Sequence, residues 1–203
     1  MDMEKKKKII ITILIIIFAI ALIYFGMEYM HELEQQTFYD TIKNVSDLEN
    51  KTDIENDKIH KQTSASTEDV KKKEIESINT TSQEILILQD LKNKVSNESY
   101  KEYIDIQLDR LNSKNRTYTI MLENTEVYEE YQSGQMTNSR ALSLIKDKND
   151  EMDTYIDKVK EAKVQSDTFL SKHTDMKDKF NQMSIDEDFL LNQIEEVKTE
   201  YIK

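Results

Sequence analysis

The sequence predicts an all-α protein with an apolar helix near its N-terminus, and three observations carry that prediction. Glycine and proline nearly vanish: 203 residues hold two glycines and no proline, where average usage would give about 14 and about 10. Hairpin turns, phosphate cradles and nucleophile elbows need glycine for positive φ or close backbone approach. Those architectures, and the chemistry they support, are excluded. Apolar side chains recur every three or four residues along most of the chain, the period of one helix face. Finally, residues 9–27 form an apolar run broken only by Thr12 and Gly26.

That run is the first element. Its nineteen residues, through Ile9, Ile16, Ala21 and Met27, make roughly 28 Å of helix at 1.5 Å per residue, enough for a bilayer core. Lys5, Lys6, Lys7 and Lys8 precede it, whereas Glu28, Glu32 and Glu34 follow and no Lys or Arg appears before Lys43. The positive-inside rule assigns residues 1–8 to a cytoplasmic basic tail and 9–27 to a single-pass signal-anchor span in the cell membrane. The remainder is expected to be extracytoplasmic. Ala19-Ile20-Ala21 has the small-x-small form of a processing site, and cleavage there would give a secreted helical protein. Against cleavage, Leu22-Ile23-Tyr24-Phe25 continues the apolar run where a polar region should begin, so the anchor is expected to be retained. The absence of cysteine excludes a lipid-modified signal and disulfide staples.

Charge bounds the partners. Of 28 basic and 40 acidic residues, Lys5–Lys8 and Asp2 and Glu4 precede the run, leaving 24 basic and 38 acidic side chains in residues 28–203. Such a surface repels phosphate backbones and carries no basic stripe, so nucleic acid is not expected as a partner. The expected partners are the membrane and either another envelope protein or a second copy of the chain.

Beyond the span, Met30, Leu33, Phe38, Ile42, Val45 and Leu48 keep a helical rhythm, which predicts a helical stalk over residues 28–50. The rhythm lapses over residues 51–69, predicting a polar linker, and Thr67 followed by Glu68 and Asp69 suits a helix start. Val70, Ile75, Ile78, Ile85, Leu88 and Val95 then mark one helix face. An interruption is signalled around Val95–Ser99, where Ser99 and Glu102 have the form of a capping box. Past it, Ile104, Leu108, Leu111, Asn115, Tyr118, Leu122 and Thr125 alternate by three and four, a heptad seam with a polar member at Asn115. A turn is predicted at residues 133–136, with Gly134 as a left-handed stop and Thr137 or Asn138 as the next cap. The return arm repeats the seam through Leu142, Ile145, Asn149, Met152, Ile156 and Val159. Ser184 with Glu187 forms a second capping-box pattern before Leu190, Ile194, Val197 and Tyr201.

Folding the chain about Gly134 sets Tyr118 opposite Met152 and Leu111 opposite Val159. Residues 70–203 are therefore expected to form a long antiparallel, coiled-coil-like helical hairpin, or an elongated three- to four-helix bundle if the chain folds back near 96–99 and 184.

No catalytic, cofactor or metal site is expected. His31, His60 and His173 are too far apart for helical ligand spacing, and the acidic stretches Asp53–Asp57 and Asp147–Asp153 lack the glycine and terminal glutamate of a calcium loop. Tyr100, Tyr103, Tyr118, Tyr128, Tyr131 and Tyr155 suit the core and boundary of a narrow bundle, where the hydroxyl reaches water. The expected function is that of a non-catalytic scaffold or protein-docking element of the cell envelope. A ligand-binding, sensor-type helical bundle is the alternative.

Overall fold

A computed structural model of the chain describes residues 3–60 and 66–185. They form five helices: α1 (Met3–His60), α2 (Thr67–Lys94), α3 (Glu98–Gln132), α4 (Asn138–Lys172) and α5 (Thr174–Gln182). No strand occurs among the described residues. The chain divides into two compact units, residues 1–39 and residues 40–203, and α1 contributes to both.

In the first unit, Ile16, Phe18, Ile20, Ile23, Phe25 and Met27 are each more than half exposed. No part of the apolar window is buried, which distinguishes this stretch from the core helix of a water-soluble domain. It is long and apolar enough to cross a membrane. Lys5–Lys8 and Ile9 are helical in backbone, and their side chains lie outside the described residues.

The second unit is a helical bundle. α3 packs closely on both α2 and α4. As α3 advances from Gln107 to Asn124, its partners on α4 retreat from Ser166 to Asn149, so the two helices run antiparallel. The same holds for α2, since Lys92 meets Asp105 while Lys71 meets Glu129. Tyr118, Ile120 and Met121 form an apolar cluster with Met152 and Ile156. Farther along, Tyr103 packs against Phe169 and Phe180, with ring centroids 5.8 and 5.1 Å away.

Several boundaries differ from the sequence expectation. α1 continues to His60 through the predicted linker, and Ile42, Val45, Glu49 and Asp53 are buried, so the second half of the predicted stalk is part of the bundle. The cap of α2 is Ser66, one residue before Thr67: its hydroxyl accepts from the Asp69 amide while the Asp69 carboxylate accepts from the Ser66 amide, a complete capping box. The interruption near Val95 is a real break. Val95–Asn97 leave the helix and the Asn97 side chain accepts from the Ser99 amide, so Asn97, not Ser99, caps α3. The first arm is thus folded into α2 and α3, which replaces the unbroken two-arm hairpin with a bundle. A further break, absent from the sequence reading, falls at His173 between α4 and α5. Residues 186–203, which hold Glu187 and the expected last segment from Leu190 to Tyr201, lie outside the described residues.

The turn after α3 has a defined chemistry. Gln135 N–H donates to the Glu130 carbonyl and Gly134 N–H to that of Tyr131, a Schellman motif with Gly134 at φ +74°. Thr137 occupies the N-cap position of α4 without a side-chain capping bond. α5 ends in the same pattern: Ile185 N–H donates to Phe180 and Ser184 N–H to Asn181, but here a serine holds the left-handed position, at φ +53°. A side chain there costs about 1 kcal/mol relative to glycine. Ser184→Gly is therefore expected to raise stability by about that amount, read as a higher urea midpoint with an unchanged slope.

Candidate functional site

The most unusual feature of the bundle is its polar interior. The buried stripe of α2 runs Glu74, Ser77, Thr81, Glu84, Leu88, Leu91, a heptad whose first four members are polar. Ile75, expected on the inner face, is 42% exposed. The buried face of α1 in this unit includes Ser46, Glu49, Thr52, Asp53 and Asn56, again at helical spacing. α3 lies opposite with Gln107, Lys114, Thr117 and Tyr118 buried.

These faces meet in an ionic cluster. Glu49 and Asp53 are four residues apart on α1, and Arg110, Lys114 and Tyr118 follow the same interval on α3. Arg110 clasps Glu49 through both ends of its guanidinium, Nη1 to Oε1 at 2.5 Å and Nη2 to Oε2 at 2.7 Å. The fork matches the carboxylate plane, which makes this the strongest type of protein ion pair. Its Nε donates to Gln107 Oε1 at 2.8 Å, and Gln107 Nε2 reaches Ser166 Oγ on α4 at 3.3 Å. Lys114 Nζ sits between the two acids, 2.8 Å from Glu49 Oε1 and 2.8 Å from Asp53 Oδ1. Tyr118 Oη donates to Asp53 Oδ1 at 2.7 Å. Lys114 and Asp53 are each 1% exposed, so these contacts operate without water screening.

Burial opposes ionisation of Glu49, yet Arg110 and Lys114 outweigh it and hold its carboxyl down at about 2. At Asp53, burial prevails over Lys114, and the neighbouring Glu49 charge adds to it, so that carboxyl is raised. Two acids sharing one ammonium group release their protons in separate steps. Burial and the Asp53 charge raise the Tyr118 phenol, keeping it a neutral donor.

Glu84 completes the cluster from α2. It is 1% exposed, and neither carboxylate oxygen has a hydrogen-bond partner among the described residues. Burial first, then the Glu49 charge, push its carboxyl up to about 8. With Glu84 protonated, the two α1 acids, Glu49 and Asp53, have two bases, Arg110 and Lys114, to pair with. A cavity of about 20 Å³ touches Ser46, Glu49, Gln107 and Arg110, space for a single water. The cluster thus has no room for an organic substrate. A depression of about 740 Å³, open to solvent, lies elsewhere between α3 and α4 over Ile106, Val164 and Phe169.

Among the seam residues read from the sequence, Leu111, Tyr118, Asn149, Met152, Ile156 and Val159 are buried, and Leu108, Asn115, Leu122 and Ile145 are half-buried. The two asparagines face different helices. Asn115 Nδ2 donates to the Ile78 carbonyl and Ser82 Oγ on α2, whereas Asn149 Oδ1 accepts from Asn124 on α3. Tyr100, Tyr103 and Tyr118 are buried, Tyr155 is half-buried, and Tyr128 and Tyr131 are exposed. His31 is exposed, while His173 is half-buried and stacks on Phe169 at 4.0 Å. Among the described residues no three His, Cys, Asp or Glu side chains gather as ligands for a metal ion.

The cluster residues Glu49, Glu84, Arg110 and Lys114 were not singled out from the sequence, and Asp53 entered only as the start of an acidic stretch. A signal existed: Glu49, Thr52, Asp53 and Asn56 continue the interval set by Ile42 and Val45, with polar residues in apolar positions. Comparison of the chain with protein-family models, with curated proteins and with solved structures finds no match.

Proposed function

We propose that the chain is a single-pass membrane protein with its N-terminus in the cytoplasm, and that its bundle serves as a non-catalytic docking or scaffold element of the cell envelope. The observation that carries this reading is the apolar stretch from Ile16 to Met27, whose large side chains are all exposed. In water such a surface would aggregate; in a bilayer it is matched to its solvent. Lys5–Lys8 on one side and the acids from Glu28 on the other supply the orientation.

The docking role is supported by the polar interior of residues 40–203. Side-chain charges there are used on neighbouring helices, and the space beside them is water-sized. What remains to act is the outer face of the coiled-coil-like, antiparallel α3–α4 hairpin, where Leu142 and Val164 are more than 60% exposed. The open depression over Ile106, Val164 and Phe169 favours a second reading, a sensor-type bundle that takes a small ligand.

Lysine cross-linking in native membranes followed by mass spectrometry separates the two readings. Docking predicts reproducible links from the bundle to one envelope protein or to a second copy. A bundle without such links at native abundance would contradict it.

A further inference from the structure

We propose that Glu84 makes the docking of residues 40–60 of α1 onto α2 and α3 sensitive to pH: the arm is seated while the Glu84 carboxyl is protonated and is loosened when it ionises. The geometry of the cluster carries this. Glu84 is 1% exposed with neither carboxylate oxygen hydrogen-bonded among the described residues, and it lies within electrostatic reach of Glu49 and Asp53 on α1 and of Arg110, Lys114 and Tyr118 on α3. Both bases are already engaged by the two α1 acids, and the Tyr118 hydroxyl is engaged by Asp53. A negative charge on Glu84 would therefore be a third buried carboxylate set against two bases, with no hydrogen bond to hold it.

Relief has a direct route. Departure of the α1 arm takes Glu49 and Asp53 away together and leaves Lys114 and Arg110 for Glu84. α2 and α3 are meanwhile held by their own close packing and by the short Val95–Asn97 connection. The buried face of the arm is mostly polar beyond Ile42 and Val45, running Ser46, Glu49, Thr52, Asp53 and Asn56, and the Asn56 side-chain oxygen has no hydrogen-bond partner among the described residues. Where a carboxyl is protonated in the seated state and ionised in the released one, each pH unit shifts the ratio of the two by up to tenfold. The window opens near the ordinary glutamate range, 4.5, and closes at about 8.

The inference does not depend on the anchoring reading, since every group involved lies in the 40–203 unit. The chain has no cysteine, so Lys51→Cys on α1 and Asp157→Cys on α4, both exposed positions, accept spin labels selectively in the full-length protein in detergent micelles. Pulsed dipolar spectroscopy should give a single narrow distance at about pH 5 and a second, broader population growing towards about pH 9. Glu84→Gln and Glu84→Met should each keep the single distance throughout. Infrared spectra of the otherwise unsubstituted chain add a readout that needs no change at Glu84. A protonated carboxyl band should persist past the ordinary carboxylate range and fade in step with the narrow distance. An unchanged distance between the two pH values would overturn the proposal, as would a shift that survives both substitutions or a carboxyl band that fades independently of the distance.

Discussion

Replacing Lys114 with methionine is expected to destabilise the 40–203 unit by about 3–5 kcal/mol, the largest effect of any single substitution in the cluster. The lysine ammonium group is the shared partner of Glu49 and Asp53, and at 1% exposure neither water nor salt can take its place. Its removal leaves two facing carboxylates with only Arg110 near. A domain of this size has about 5–15 kcal/mol in total, so the variant should unfold at a much lower urea concentration. Arg110→Met should be milder, because its guanidinium reaches the edge of the bundle and Glu49 keeps Lys114. Combining Lys114→Met with Asp53→Asn should recover much of the loss, since Glu49 keeps Arg110 and the carboxylate left without a cation is removed. Unfolding of the full-length chain in micelles, followed by helical circular dichroism, gives all three comparisons. A Lys114→Met variant as stable as the parent would mean that the ion pairs do not form.

The second large effect is an unusual dependence of stability on pH. Glu49 is held at about 2 in the folded state, below its ordinary 4.5, so its contribution is complete above 4.5 and is lost as the pH falls towards 2. Glu84 has the opposite sign: its folded value of about 8 exceeds 4.5, so its contribution is complete below 4.5 and disappears as the pH rises to 8. Asp53, also raised, acts in the same sense as Glu84. Stability should therefore peak in mildly acidic solution, falling by about 3 kcal/mol on the acid side and about 5 kcal/mol by pH 8. Glu84→Gln should flatten the alkaline limb alone. An alkaline limb of the same depth in that variant would assign the loss to other groups.

The helices were legible because their signals are local. Gly134 is the only glycine outside the apolar run, and it sits at the left-handed stop its spacing indicated. The α3–α4 face was legible for a similar reason: Leu111, Tyr118, Met152 and Val159 are apolar or aromatic residues at helical intervals, and all are buried. The cluster was not legible, because a search for apolar periodicity passes over a stripe written as Glu74, Ser77, Thr81 and Glu84. On α3 the reading followed one seam through Leu111, Asn115 and Tyr118. This helix is buried on several sides, and Lys114, one residue from the seam, occupies the second face. The end of α1 was misplaced at residue 50 for the same reason, since its inner positions turn polar where the helix enters the bundle. Burial of a charge depends on a partner brought from some 60 residues away, and a single helix does not carry that information.

The anchoring claim is tested most directly by cysteine labelling of intact cells. Single substitutions Asp157→Cys in the bundle and Asp2→Cys ahead of the apolar run are each exposed to a membrane-impermeant maleimide before and after permeabilisation. The anchored, N-in arrangement predicts that Asp157→Cys is modified in intact cells and that Asp2→Cys is modified only once the membrane is opened. Protection of Asp157→Cys in intact cells, or recovery of the chain in the soluble fraction, would contradict it.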